Sequence, residues 1–365
     1  MNNYIKGLGV LGLLLAIGAC AAPTTKPATI TDAATALEAK EQHKIAFEAL
    51  FNDERRLKKV AYPLEARAVA LCGENISYAI GARAVNKFIY TNEFHDPARS
   101  LYGIAEPVKF IDIFHDSPAQ RAGLLAGDVP VALNDWAVPA DASAVQKFQE
   151  KVAELGNESH PILMKISRDG AQQTLTVKPE KVCNYGVELA NDGVVNAFAD
   201  GKNVIIASGM MRFISSDNEL ALVVAHEMSH NAMKHIDAKQ QNYWVGAVFD
   251  ILIAAGTGVN TQGLFGNIAA SSYSQEFETE ADYVGLYMMA LAGYEISDAP
   301  KFWRRMAALS PDSIKNSHSA THPATPQRFL ALENAVKEIN NKRQAGLPLR
   351  PELKDAAPDN QTKAQ

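Results

Sequence analysis

The chain is short of cysteine, of basic residues and of apolar runs long enough to span a membrane. It has three cysteines among 365 residues, and 41 acidic against 35 basic side chains give a formal net charge of -6. A nucleic-acid-binding domain presents a clustered basic face, so this balance argues against DNA or RNA as a partner. Apolar residues make up 47% of the chain, which is ordinary for a protein with a buried core. The length suits two domains with tails.

The first twenty residues have the pattern of a bacterial export signal. A weakly basic start, MNNYIK, precedes the apolar run GLGVLGLLLAIGA, which is too short to span a bilayer comfortably. Ile17-Gly18-Ala19-Cys20 resembles a lipobox, in which the cysteine is lipidated and becomes the new N-terminus. Because Ala21 is not aspartate, the resemblance implies an outer-membrane lipoprotein that faces the periplasm. The alternative is an ordinary signal peptide with a chance cysteine.

Lipidation of Cys20 would leave Cys72 and Cys183. An even pair of cysteines in an oxidising compartment predicts a disulfide, and the alternative is two buried free thiols. Residues 21–30 are small and rich in proline and threonine, which predicts a tether. Residues 31–75 have apolar positions at helical spacing and predict a helical segment that packs on the protein body. The polar residues 341–365 predict a disordered tail.

Residues 95–182 predict a separate unit that is rich in strands. Ser117 can cap a short helix with Pro118 at its first position, and a Gly127-Asp128 turn then leads into a strand. The run SPAQRAGLLAGD resembles the PDZ domains of bacterial proteases, which implies that an extended peptide adds to an exposed sheet edge. The glycine-containing loop expected before that strand is loosely matched by Leu101-Tyr102-Gly103-Ile104. The alternative is a structural insertion that binds nothing.

The segment AHEMSH contains two histidines four residues apart. On a helix of about 100° per residue, His226 and His230 lie roughly 40° apart, so both imidazoles can reach one ion. Glu227 lies about 100° from His226, close enough to act on a water at that ion without ligating it. Two neutral imidazoles and a carboxylate base are what zinc-assisted hydrolysis needs. The apolar residues before His226 indicate a buried helix, which favours this interpretation over a chance match.

A third ligand must come from elsewhere in the chain. His235 points roughly 140° away from His230 on the same helix, which predicts a surface residue or a residue behind the ligands. The segment SQEFETEADYVG offers Glu278 and Asp282 on one helical face. Glu278 would ligate, and Asp282 would accept the spare N–H of a ligating histidine. Glu276 and Glu280 share a face roughly 160° away and are expected to be solvated.

These motifs together resemble the HtpX/BepA-type, Oma-like (gluzincin) family of zinc metallopeptidases. The family pattern pairs H-E-x-x-H with E-x-x-A-D-x-x-G, and its N-A-F segment is matched by Asn196, Ala197 and Phe198. The residues IASGM at 206–210 match its V-x-x-G-L/M segment, and S-A-T-H-P at 319–323 with Arg328 resembles its S-T-H-P-x-x-x-x-R segment.

The resemblance implies a role for each matched residue. It implies one Zn²⁺ held by His226, His230 and Glu278, with Glu227 as the general base. It implies that the strand around residues 196–198 pairs with extended substrate. His322 and Arg328 would lie near the metal, either stabilising the oxyanion or occluding the metal at rest.

The expected fold is α+β, with a mostly helical zincin-type domain and small edge sheet at 184–337 and an inserted PDZ-like unit. The chain has no transmembrane helices after its signal, so it resembles the soluble periplasmic branch of the family, and a prenyl-protein substrate is disfavoured. The apolar segment 244–270 is interrupted by Gly256, Gly258, Gly263 and Gly266, which favours a mobile lid or membrane-facing flap over a membrane span.

The favoured function is a zinc endopeptidase of the cell envelope, anchored by its lipid. Its partners would be unfolded or misassembled envelope proteins, recruited with the help of extended peptides at the PDZ-like unit. The alternative is a latent, protease-like lipoprotein that acts as a PDZ scaffold or chaperone.

Overall fold

The computed structural model describes residues 25, 28–158, 160–238, 275–309, 322 and 325–354. The chain divides into two units, Met1–Ile45 and Ala46–Gln365. The described residues of the first unit are helical from Asp32 and almost all exposed. Among the described residues, no helix combines the length and hydropathy that a membrane span requires. Cys20 and the predicted lid at 244–270 lie outside the described residues.

The elements alternate between strands and helices up to residue 207, and helices follow. The helices are α1 (Asp32–Arg67), α2 (His95–Tyr102), α3 (Pro118–Arg121), α4 (Ala144–Asn157), α5 (Ser208–Phe213), α6 (Asp217–Ala232), α7 (Gln275–Leu291), α8 (Ala299–Ala307) and α9 (Pro326–Gln344). The strands are β1 (Ile76–Ala79), β2 (Ala82–Val85), β3 (Lys109–Ile113), β4 (Val129–Leu133), β5 (Trp136–Ala137), β6 (Ile162–Arg168), β7 (Ala171–Val177), β8 (Glu180–Cys183), β9 (Gly186–Ala190), β10 (Ala197–Ala199) and β11 (Asn203–Ala207). The expected α+β class is confirmed.

Helix α1 contributes to two hydrophobic clusters. Phe47 and Phe51 pack with Tyr90 and Ile104, and Phe51 stacks on Tyr102 at 3.8 Å between ring centroids. Further along the same helix, its apolar residues enter the core that contains α6 and α7. These residues are Leu57, Val60, Ala61 and Leu64. The predicted helical segment at 31–75 thus forms one long helix and ends at Arg67, because a short 3-10 turn and β1 follow.

The strand-rich unit has its own core, formed by α4 and the strands around it. Strands β5-β4-β6-β7 form a four-stranded antiparallel sheet, and β2 pairs antiparallel with β3. Ser117 caps α3 by accepting a hydrogen bond from the Gln120 N–H at 3.1 Å, as the sequence predicts. Gly123 has φ of +81°, so the chain turns there at little steric cost.

Two features of this unit differ from the sequence prediction. The predicted boundary at residue 95 is too late, because Ile80 and Ala84 belong to the unit's core and β2 pairs with β3. The loop assigned to 101–104 is instead the end of α2, where Gly103 caps the helix at φ +62°. A glycine in the left-handed region ends a helix as readily as it opens a loop, so the motif alone did not distinguish them.

A disulfide joins Cys72 to Cys183 with Cα atoms 5.7 Å apart. Strand β8, which carries Cys183, pairs antiparallel with β1 directly after Cys72. Both cysteines are buried in the core that holds α6 and α7. The bond therefore fixes together the two ends of the strand-rich unit.

The remaining elements build a helical layer on a three-stranded sheet of order β10-β11-β9. Strand β11 pairs parallel with β9 and antiparallel with β10, which leaves β10 at the edge of the described sheet. Gly209 is the second residue of α5, where a Cβ would lie 2.2 Å from the Gly193 and Val194 carbonyl oxygens. Glycine is therefore required at that position.

The predicted disordered tail begins too early. Residues 341–344 are the last turn of α9, and 345–354 are also described. The Lys342 ammonium donates to the Tyr287 hydroxyl at 2.8 Å and contacts the Glu352 carboxylate at 2.5 Å. Arg343 donates to the Ala290 carbonyl at 3.0 Å. These long-range contacts order a segment whose local composition is that of a disordered chain.

The disulfide generates the first prediction. Its partners are 111 residues apart, and closing a loop of that length removes unfolded-state entropy worth about 4 to 5 kcal/mol. We expect Cys72→Ser to lower the free energy of unfolding by up to about that amount in urea titrations. Cys72→Ser/Cys183→Ser should match the single variant, since each removes the same cross-link. An unchanged urea midpoint in Cys72→Ser would contradict the prediction. A reactive thiol at Cys72 or Cys183 in the denatured, unreduced wild type would contradict it too.

Candidate metal centre

Helix α6 contains the H-E-x-x-H motif and lies in the protein core. Ser216 caps the helix by accepting from the Glu219 N–H at 3.2 Å. Every residue from Leu220 to Asn231 is buried. A histidine or glutamate in such a helix must find partners there, since burying an unpaired polar group is costly.

Helix α7 crosses close to α6 because it has a glycine at the contact. A Cβ on Gly285 would lie 3.2 Å from the Ala225 carbonyl carbon and the His226 amide nitrogen. Ala281 on the same helix is fully buried. The close approach brings Glu278 and Asp282 of α7 against the two histidines of α6.

Four side chains present ligand atoms that all lie within 4.8 Å of one another: His226, His230, Glu278 and His322. The Nε2 atoms of His226 and His230 are 3.1 Å apart. The Glu278 oxygens lie 3.6 Å from His226 Nε2 and 3.4 Å from His230 Nε2. His322 Nδ1 lies 2.9 Å from Glu278 Oε1 and 3.4 Å from His226 Nε2.

These separations fit a tetrahedral zinc site. Ligand atoms about 2.0–2.1 Å from Zn²⁺ would lie roughly 3.3 Å from one another at the corners of a tetrahedron. The observed distances bracket that value, and a set of imidazoles with one carboxylate suits zinc chemically. Glu227 is buried beside the set, with Oε1 3.7 Å from His322 Nε2.

Charges around the centre are arranged to hold a cation. Burial lowers the pKa of His226, but hydrogen bonds to Asp282 and Glu278 outweigh it and raise that pKa to about 9. Burial raises the pKa of Glu278, but the charges of His322 and Arg328 outweigh it and hold that pKa well below its usual value. Burial lowers the pKa of His230 to about 3, against the attraction of Glu278. The carboxylate is thus ionised, and His230 offers a neutral nitrogen.

Asp282 and Arg328 support the donor set from behind. Asp282 Oδ1 lies 3.0 Å from His226 Nδ1, on the side of the ring that faces away from Glu278. The Arg328 guanidinium contacts the Glu278 carboxylate at 2.7 Å and the Asp282 carboxylate at 2.5 Å and 2.9 Å. Arg328 therefore neutralises two buried carboxylates at once, a role that the sequence motif did not reveal.

Of the two places that the sequence left open for His235, the structure shows the one behind the ligands. It is buried, with Nδ1 3.0 Å from His230 Nδ1 and Nε2 2.9 Å from Glu280. The surface alternative for His235 is therefore wrong. Glu280 is half-exposed as expected, but it also binds His235, whereas Glu276 is exposed.

The strand that carries the N-A-F segment lies at a sheet edge. Ala197 and Phe198 belong to β10, and the Asn196 carbonyl accepts from the Ala207 N–H at 3.1 Å. The Phe198 side chain is half-exposed. Asn231, directly after His230, holds the β10–β11 turn by accepting from the Gly201 N–H at 2.7 Å and donating to the Asn203 carbonyl at 3.0 Å.

Sequence reasoning missed Asn231 and Trp303. The Trp303 ring lies 5.0 Å from the His226 ring and 4.8 Å from the Arg328 guanidinium, measured from ring centroids. It covers the side of the site formed by these two residues. No motif marks Trp303, whereas the position of Asn231 directly after a ligand histidine was a signal available in the sequence.

The fold and site are those of the H-E-x-x-H metallopeptidase class. Residues 158–336 match the sequence model of peptidase family M48. The chain is similar to mitochondrial metalloendopeptidase OMA1 of Arabidopsis thaliana, with 30% identity over 172 residues, 45% of this chain and 35% of that protein. It is also similar to the beta-barrel assembly-enhancing protease of Yersinia pestis, with 30% identity over 166 residues, 41% of this chain and 34% of that protein.

The match spans about a third of the length of these two relatives. The expected resemblance to BepA-type and Oma-like metallopeptidases is thereby confirmed. Among solved structures, an HtrA3 PDZ domain bound to a phage-derived ligand (FGRWV) is 23% identical, with a TM-score of 0.22. That similarity covers 29% of this chain and 88% of the PDZ domain. At that score it adds nothing to the topology described above.

The contacts of Arg328 generate a stability prediction. Arg328→Leu leaves the Glu278 and Asp282 carboxylates buried without their cation, and breaking a buried ion pair costs about 3–5 kcal/mol. We expect a loss of free energy of unfolding of that size in urea titrations of the metal-free protein. Arg304→Leu is the matched control, because Arg304 pairs with Glu333 at the surface and its loss should cost less than about 1 kcal/mol. Equal effects of the two substitutions would contradict the role of Arg328.

Proposed function

We propose that the chain is a zinc-dependent endopeptidase of the bacterial cell envelope, with one Zn²⁺ per chain. The observation that carries this proposal is the buried, tetrahedrally spaced donor set with the Glu227 carboxylate beside it. His226, His230 and Glu278 would hold the ion. Zinc bound there would polarise the scissile carbonyl and lower the pKa of a water toward about 7.

The chain's own residues then supply the remaining steps. Glu227 takes the proton of the attacking water at its carboxylate and passes it to the leaving amine nitrogen. In the described sheet β10 pairs only with β11, so its other edge would pair with an extended substrate, and Asn231 fixes that strand to α6. Asp282 holds the His226 ring, and Arg328 keeps both α7 carboxylates ionised.

His322 occupies the fourth corner of the donor set. A catalytic zinc site keeps one position open for water, whereas a site closed by four protein ligands does not. With Nδ1 at 2.9 Å from Glu278 and 3.4 Å from His226 Nε2, His322 would be a fourth ligand and would compete with that water for the ion. Of the two roles that the family resemblance implies for His322, this placement supports occlusion at rest. His322 must then withdraw before a peptide is cut.

The substrate class follows from the relatives and from the N-terminal sequence. One relative is named for enhancing beta-barrel assembly and others are mitochondrial, so we propose unfolded or misassembled envelope proteins as substrates. Cys20 would carry the lipid that anchors the chain, facing the periplasm, at the outer membrane. The PDZ-like unit would recruit extended peptides at the edge of β2 that pairs with no other strand in the described part of the chain. The alternative is a latent scaffold or chaperone, and the feature that favours it is the closed donor set.

The division of roles between ligands and base can be tested by substitution. We expect Glu227→Gln to retain one zinc per chain and to lose casein cleavage, because Glu227 is not a ligand. His226→Ala and Glu278→Ala should bind zinc more weakly and lose cleavage, since each removes one of the three ligands that hold the ion when His322 has withdrawn. Zinc analysis of the purified variants measures the first effect. Full cleavage by Glu278→Ala would instead point to Glu276 or Glu280 as the ligand, and zinc binding without cleavage by the wild type would favour the scaffold.

The role of His322 has a separate test. If this side chain occludes the metal, His322→Ala should keep zinc on its three other ligands and cleave casein several-fold faster than the wild type. Asn231→Ala is a useful comparison, because it also lies beside the site but should weaken substrate binding and raise KM. A fall in kcat with unchanged KM in His322→Ala would contradict occlusion and return His322 to oxyanion stabilisation.

A further inference from the structure

Three side chains in contact with one another connect the metal centre to the surface of α7. His230 Nδ1 lies 3.0 Å from His235 Nδ1, and His235 Nε2 lies 2.9 Å from the Glu280 carboxylate. His230 and His235 are buried, and the Glu280 side chain is half-exposed. We propose that His235 and Glu280 are positioning residues that fix the tautomer and orientation of His230 for metal binding. This inference rests on the proposed zinc site.

The backbone explains how His235 reaches His230. On a continuous helix the two side chains would point roughly 140° apart. Helix α6 ends at Ala232, however, and Lys234 has φ of +56°. A non-glycine residue in the left-handed region is sparsely populated and persists only where the surroundings hold it. The reversal at Lys234 turns the chain back so that the His235 ring faces the end of α6.

The order of donors and acceptors in this chain has one consistent solution. An ionised Glu280 carboxylate can only accept, so His235 must carry its proton on Nε2. His235 Nδ1 is then a lone pair, and His230 must donate to it from its own Nδ1. His230 Nε2 is consequently left as a lone pair, directed at the donor set. The anchor at Glu280 thus determines which nitrogen of His230 is available to zinc.

The two ligand histidines are therefore held in parallel ways from the same helix. His226 Nδ1 faces Asp282 directly, whereas His230 Nδ1 reaches Glu280 through His235. Partners of this kind typically change metal affinity or activity by about 10- to 100-fold when removed. Phe277 stacks on the His235 ring at 4.5 Å between centroids, which restricts rotation of the ring.

The test measures zinc affinity, not activity. Zinc dissociation constants of the full chain are determined by chelator competition for the wild type, His235→Phe and Glu280→Ala. His235→Phe keeps a ring to stack on Phe277 but has no acceptor, and we expect its zinc affinity to fall by about 10- to 100-fold. Glu280→Ala should lose about tenfold, because His235 can then adopt the other tautomer, which presents an N–H to His230. Because the Glu280 side chain is half-exposed, this substitution leaves the core intact.

Three further variants separate positioning from general charge or packing effects. Glu280→Gln keeps an acceptor oxygen and should restore most of the affinity. Glu276→Ala removes an exposed carboxylate one turn earlier on α7 and should have no effect. In the double variant His235→Phe/Glu280→Ala, affinity should match His235→Phe within about twofold, since Glu280 acts through His235. Co²⁺-substituted protein should show a shifted visible absorption band in His235→Phe and Glu280→Ala, but not in Glu276→Ala.

The outcomes distinguish this inference from the function on which it rests. Wild-type zinc affinity and Co²⁺ spectra in both His235→Phe and Glu280→Ala would overturn the positioning role and leave the zinc site intact. Equal losses in Glu280→Ala and Glu276→Ala would overturn it too, because a general charge effect would then suffice. A wild-type chain that binds no zinc would overturn both proposals.

Discussion

The rest of the structure depends on the neutralisation of two carboxylates that α7 carries into the core. Glu278 and Asp282 are both buried, and an ionised carboxylate cannot remain there without partners. Arg328 binds both, and the two histidines of α6 approach them from the other side. The same residues that would bind and orient a zinc ion are thus the residues that allow α6 and α7 to pack together.

Residues from several elements around the site hold this arrangement in place. Gly285 permits the close crossing that brings Glu278 within reach of His230. Helix α9 is capped by Thr325, begins at Pro326 and carries Arg328 in its first turn. Asn231 connects the end of α6 to the β10–β11 turn. The metal centre and strand β10 therefore share one support, and a shift of either would break the hydrogen bonds of Asn231.

Helical periodicity was sufficient to place the central ligands. The i, i+4 spacings of His226 with His230 and of Glu278 with Asp282 depend only on local geometry, and the structure keeps them. The same reasoning left two places open for His235, and the structure shows the one behind the ligands, because one left-handed residue, Lys234, ends the helical periodicity before it. Contacts between residues far apart in sequence were also beyond its reach. Trp303 against His226 carries no local pattern, and the order of residues 341–354 depends on Tyr283 and Tyr287 of α7.

The strand-rich unit and the metallopeptidase part are joined by more than the peptide chain. Phe47 and Phe51 of α1 pack in a cluster with residues beside β2 and β3, and Leu57 and Leu64 of the same helix pack in the core with α6. Glu54, between these two sets, pairs with Arg83 on β2. The disulfide adds a covalent connection at the roots of the unit. Helix α1 supplies apolar residues to both cores. If α1 moved away from either core, it would expose apolar surface, and the burial of such surface contributes about 25 cal/mol per Å². A movement of β2 against α1 would therefore also disturb the packing of α1 on α6. Helix α6 carries His226 and His230.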